Sequence, residues 1–133
     1  MGNLSINRIL EAGTTSSLAS CSTGGDSFLN SGIEFLRVEN LHATQAYNVT
    51  VTTQVTTVTS LGYGTVTKSS VVKQVSAGNT AYIGPFKQKA FNDSEEQVQL
   101  TYLTTGGAAL STIGVASVHK LKVEVLYLDQ TYN

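Results

Sequence analysis

Tyr47-Asn48-Val49-Thr50-Val51-Thr52 is the stretch that decides the fold class. Its apolar residues, Tyr47, Val49 and Val51, alternate with Asn48, Thr50 and Thr52, so a strand would turn one set inward and the other to solvent. A helix would scatter the same residues around its circumference. The period recurs in Val98-Gln99-Leu100-Thr101-Tyr102, with Val98, Leu100 and Tyr102 inward, and in Leu121-Lys122-Val123-Glu124-Val125. In the last, Leu121, Val123 and Val125 are expected in the core and Lys122 and Glu124 in water. Ile33-Glu34-Phe35-Leu36-Arg37-Val38-Glu39-Asn40 also alternates, but the adjacent Phe35 and Leu36 give that strand two apolar faces.

Outward from these strands the chain is punctuated by turn residues. Asn40-Leu41-His42-Ala43-Thr44, Ser76-Ala77-Gly78-Asn79 and Phe91-Asn92-Asp93-Ser94 read as turns, and Leu61-Gly62-Tyr63-Gly64 as a hairpin tip. A strand from Thr65 to Val75 is expected to break near Ser69-Ser70, and Thr80-Ala81-Tyr82-Ile83 to form a short one. Thr104-Thr105-Gly106-Gly107 opens a small-residue connection that runs to about Ser117. Thr (18) and Val (14) make up nearly a quarter of the 133 residues, and both are β-branched and stiff at χ1, which favours a pleated surface. The expectation is an all-β, single-domain β-sandwich or jelly-roll-like fold of about seven or eight antiparallel strands. Residues 1–27, uneven and then rich in Ser, Thr and Gly, read as an N-terminal arm and peripheral segment; residues 28–133 form the sandwich.

The charge count excludes several classes. Eight basic and nine acidic residues give a net charge of −1 with no runs, which leaves no electrostatic footprint for nucleic acid or an anionic membrane. No window approaches 18 consecutive apolar residues, and the first ten residues lack the layout of a secretory signal, so a protein made in the cytoplasm is expected. Charged residues are only 13 % of the chain, against about 25 % as usual, so part of the surface is expected to be covered by copies of the chain or by a partner.

Reactive groups are scarce. Cys21 has no second cysteine to pair with, and its Ser/Gly-rich surroundings offer no orienting partner for either His42 or His119. It is expected to be inert, with replacement by Ser leaving stability nearly unchanged. The two histidines lack metal-ligand spacing, and Asp93, Glu95 and Glu96 read as a solvated turn. Gly62-Tyr63-Gly64 has neither the Lys nor the further Gly of a phosphate loop. No catalytic residue, metal, cofactor or small-molecule substrate is expected. Exposed Tyr63 or Tyr82 could stack on a sugar ring, which keeps a carbohydrate-recognition sandwich open as the alternative.

One run has a structural reading of its own. Ile83 ends a strand, Gly84 permits an unusual backbone angle, Pro85 stops ladder pairing, and Phe86 can fold back to close the core. Gly84, Pro85 and Phe86 are therefore shape-holding residues.

The succession Phe28-Leu29-Asn30-Ser31-Gly32, Phe35-Leu36-Arg37-Val38-Glu39-Asn40, Tyr47-Asn48-Val49-Thr50-Val51, Val75-Ser76-Ala77-Gly78-Asn79-Thr80, Tyr82-Ile83-Gly84-Pro85-Phe86, Ala90-Phe91-Asn92, Val98 to Tyr102 and Val123-Glu124-Val125-Leu126 resembles small virion proteins of tailed bacteriophages that decorate or cement the capsid. The likeness covers about residues 28 to 128; residues 56–70 and 103–117 depart from it. It implies a jelly-roll or sandwich module on the outer capsid surface, bound to the major capsid protein and associated as a homotrimer. In that setting the N-terminal arm is expected to lie on a neighbouring subunit, with Leu4, Ile6, Ile9 and Leu10 as anchors. The alternative is a receptor- or carbohydrate-recognition sandwich of a head or tail fibre.

Overall fold

The computed structural model describes residues 2–55, 57–60, 62, 64–67, 69–107 and 120–129, with backbone alone at 57–60 and 64–67. Among the described residues, twelve strands and one short helix follow in chain order: β1 (Gly2–Asn3), β2 (Ile6–Ile9), β3 (Ala19–Ser20), β4 (Asp26–Leu29), β5 (Phe35–Asn40), β6 (Tyr47–Val51), β7 (Thr57–Ser60), β8 (Gly64–Thr67), β9 (Val71–Val75), β10 (Thr80–Ile83), α1 (Gln88–Phe91), β11 (Gln97–Thr104) and β12 (Leu121–Leu128). The first sheet runs β1-β4-β11-β6-β9 and the second β10-β5-β12-β2, with β3 also on β12; β7 and β8 make a separate hairpin.

The two five-stranded sheets face each other as an all-β sandwich. From the first sheet come Phe28, Tyr47, Val49, Val51, Val98, Leu100 and Tyr102; from the second come Leu36, Val38, Leu121, Val123 and Val125. All but Phe28 belong to a period-2 set, so alternation places them in the core; β4, with Asp26, Ser27 and Phe28 all buried, does not alternate. Burial of these side chains contributes about 1.5–3 kcal/mol apiece as an upper figure, since unfolded chains already bury some of that area.

The structure corrects the expected strand count and the expected uniform antiparallel pairing. β1 pairs with β4, and β2 with β12, in parallel, making both sheets mixed. It also corrects the separation of residues 1–27 from the sandwich. The boundary after residue 27 falls inside β4, and residues 2–9 supply an edge strand to each sheet, with Leu4 and Ile6 packed on the core. The physical reason is that a sheet edge leaves unpaired N–H and C=O groups, and a short apolar segment covers them.

Three local features hold the frame. Gly84 has φ +119°, and a Cβ there would stand 3.1 Å from Phe35 Cα. The Gly84–Pro85 bond is cis, and Phe86 turns into the core against Phe28 and Phe91, with ring centroids 6.1 and 5.6 Å away. Buried Asn30 donates to the Phe86 carbonyl (3.1 Å) and to Asn92 Oδ1 (2.7 Å), which ties the run after β10 to the end of β4. Buried Asn40 does similar work at the other end, donating to the carbonyls of Val75 and Gln45 and accepting from the His42 amide.

Candidate interaction surfaces

Two surfaces carry unusual side chains, and the first lies along the N-terminal seam between the sheets. Leu4 and Ile6 are half-buried there; with Leu29, which is 54 % exposed, they line a hollow of about 350 Å³. A second hollow of about 180 Å³ lies between Ile6, Leu29 and the carboxylate side of Glu34. Of the four expected anchors, the structure therefore brings Leu4 and Ile6 together. Ile9 lies apart, beside the outer face of the second sheet, and Leu10 is exposed on the segment that follows. Leu29 was not singled out by sequence reasoning; its signal was an apolar residue at an outward position of β4.

The second surface is the outer face of the β10-β5-β12-β2 sheet. Register places Tyr82 opposite Arg37, and Arg37 opposite Glu124, so one row of side chains crosses three strands. On the far side Asn7 of β2 reaches Glu124. β3 pairs with β12 at Lys122 and Val123 and β2 pairs from Val125 onward, so Glu124 occupies the gap between two edge strands. Residues 10–17, exposed throughout, pass over this gap on the way from β2 to β3.

Glu124 was expected in water and is instead 3 % exposed, because those residues cover it. Burial alone would raise its pKa. It is outweighed by the Ser17 amide (2.6 Å), Asn7 Nδ2 (2.8 Å), Ser16 Oγ (2.8 Å) and the Arg37 guanidinium (3.6 Å), and the carboxyl is held below its ordinary value. Arg37 Nη1 also donates to Ser16 Oγ at 2.8 Å, and Nη2 lies 3.7 Å from Glu39. Arg37 Nε is buried with no acceptor. Phe35 and Leu126 flank the row, and a groove of about 250 Å³ opens between it and Tyr82, which is 65 % exposed.

The groups weighed as chemical sites have structural roles. Cys21 is buried in the core beside Tyr102, and burial pushes its thiol far up, out of the range in which it would be a nucleophile. This corrects the expectation that serine could replace it freely. Tyr102 donates to buried Asp26 at 2.7 Å, and Asp26 also accepts from the Ser22 amide. Asp93 accepts from the amides of Gln97 and Glu95 and from Gln99 Nε2; the Gln97 amide foremost, then Gln99, lowers its pKa, and the carboxylate organises the turn before β11. His42 Nδ1 accepts from the amides of Thr44 and Gln45. Among the described residues no group of three or more His, Cys, Asp or Glu is placed to hold a metal ion, and no helix is long and apolar enough to cross a membrane. His119 and Tyr63 lie outside the described residues.

Comparison with protein-family models, with curated proteins and with solved structures returned no match.

Proposed function

We propose that the protein is a structural virion component of the decoration type, binding the outside of an assembled phage head and stabilising it by bridging subunits of the major capsid protein. The observation that carries this reading is the N-terminal seam, where Leu4, Ile6 and exposed Leu29 present apolar surface beside unfilled hollows on a chain with only 13 % charged residues. A neighbouring subunit that filled those hollows would gain contacts without desolvating ions. Many identical copies, each with a modest interface, would act together, and binding only the assembled shell would favour that state by mass action. The role needs no catalysis and no cofactor. Self-association as a homotrimer belongs to the same proposal, supported by the low charge and by Phe35, which lies half-buried on the outer face.

The test is rescue. Particles lacking the protein should release their genome at lower temperature or after milder osmotic shock, and purified protein should restore them. Leu29→Asp, at an exposed position, should leave the fold intact and abolish the rescue. Equal robustness with and without the protein overturns the proposal. A recognition module on a head or tail fibre is the second reading, favoured by exposed Tyr82 at the edge of the groove on the outer face of the second sheet. Copy number on the particle separates the two, hundreds on the shell for decoration and a few on an appendage for recognition.

A further inference from the structure

The two sheets differ in what they turn outward. The second sheet carries Arg37, Glu39, Lys122 and Glu124 on its outer side. On the first sheet, register sets Thr101, Thr50 and Val72 in one row across three strands, and Leu103, Asn48 and Gln74 in the next. Among the described residues, no outward side chain of β4, β6, β9 or β11 is charged. Charge stands at the borders instead. Asp93 holds Gln99 from the turn before β11, and Lys73 lies on the outermost strand, β9. Protein–protein interfaces have this anatomy, with charge depleted at the centre and a polar rim. Leu29, outward on β4 opposite Gln97, carries the uncharged face on into the hollow of the N-terminal seam.

Resting on the decoration reading above, we propose that the outer face of the first sheet beds on the assembled shell, and that its occupant is an uncharged polar patch of the major capsid protein. Size separates this occupant from a second copy of the chain. Strands stand about 4.8 Å apart and rise about 3.4 Å per residue, so four strands five residues long offer roughly 300 Å² in plan. A stable pair in solution buries about 800 Å² on each partner. The face is therefore too small to hold two free copies together. Copies associated as a trimer through another surface would instead engage several shell sites at once, each aided by the seam hollow beside Leu29. Hydroxyl and amide groups at Thr50, Thr101, Asn48 and Gln74 exchange water for partner hydrogen bonds without stripping an ion of its hydration.

The experiment returns the purified full-length chain to capsids of the parent particle that lack it. Hydroxyl-radical footprinting of free and shell-bound protein should show exposed Val72, with Leu103, losing most of its reactivity on the shell. Thr101→Glu, at an exposed position, sets an unpaired carboxylate in the interface and should weaken shell binding by about tenfold or more in a sedimentation assay, with melting unchanged. Thr80→Glu, exposed on β10 of the second sheet, should bind as the unsubstituted chain does. The footprint is read on the unsubstituted chain, so it decides even where a variant fails to fold. Binding and rescue with Val72 and Leu103 still reactive, undiminished binding by folded Thr101→Glu, or an equal loss in Thr80→Glu would overturn this face and leave the decoration reading standing. Protection of Val72 that grows with the concentration of free protein would give the face to a second copy and overturn it too. A chain that neither binds nor stabilises the capsids would remove the decoration reading and this face with it.

Discussion

Asn7 Nδ2 donates to Glu124 Oε1 at 2.8 Å, joining the second strand of the chain to the last across 117 positions. The same carboxylate holds the Ser17 amide and the Ser16 hydroxyl, so Glu124 is the point at which the N-terminal segment is tied to the sandwich. Its replacement by Ala leaves the Ser17 amide and the Ser16 hydroxyl without this acceptor and leaves the Arg37 guanidinium with only Ser16 and Glu39. Glu124→Ala should lower the unfolding free energy by about 3 kcal/mol, measured by denaturant titration, with protease sensitivity appearing first at residues 10–17. A change within about 0.5 kcal/mol, as at an ordinary surface position, would show that the hub is not coupled to folding.

The same group sets a pH dependence. Because the folded protein holds Glu124 below its ordinary carboxylate value, its contribution is fully present above that ordinary value. It is lost as pH falls through the lower folded value. Melting temperature should therefore fall on acidification below the ordinary Glu range, and the fall should be shallower in Glu124→Gln than in the unsubstituted protein. Identical pH profiles would remove Glu124 from the account.

Deleting residues 2–9 removes an edge strand from each sheet together with Leu4, Ile6 and Asn7. Were these residues a free arm, the deletion would leave melting unchanged. As they are built into both sheets, it should lower the melting temperature by several degrees, about 3–4 °C for each 1 kcal/mol in a chain of 133 residues, read by differential scanning calorimetry.

The Cys21–Tyr102–Asp26 group is buried, and its members depend on one another. Burial first, then the neighbouring Cys21 and Asp26, raises the Tyr102 hydroxyl well above the ordinary tyrosine value, so it remains a donor to Asp26 at every pH of interest. Tyr102→Phe should cost about 1–3 kcal/mol, because Asp26 Oδ2 loses one of its donors. Cys21 should resist thiol reagents in the native state and react stoichiometrically once the chain is unfolded. Rapid native labelling would show that the thiol is accessible.

Gly25 sits at φ +92° immediately before β4, and a Cβ there would run into the backbone carbonyl oxygen of Leu100. Neither the backbone angle nor the neighbour can yield easily, since Leu100 lies within β11. Gly25→Ala should destabilise by about 2–4 kcal/mol in a thermal or denaturant melt. At Gly13, with φ +105° and open space around it, the same change should cost less, which separates steric conflict from backbone strain.

Much of the sandwich was legible because strand faces are a local property. Tyr47, Val49 and Val51, or Val98, Leu100 and Tyr102, declare their buried side through spacing of two, whichever strand comes to lie beside them. The turn at Ser76-Ala77-Gly78-Asn79 and the strand end at Gly84-Pro85 were readable for the same reason, as Gly and Pro constrain their own dihedrals. What tertiary structure alone decided is which strands became neighbours. Parallel pairing of β2 with β12 unites residues more than a hundred positions apart, and neither segment carries a mark of the other in its own pattern. That pairing, with residues 10–17 crossing above it, converts Glu124 from an outward-facing charge into a buried hub. The cross-strand register likewise assembles Tyr82, Arg37 and Glu124 into one row from three separate strands. Alternation specifies a face, whereas a site needs partners, and partners are set by long-range sheet order and register.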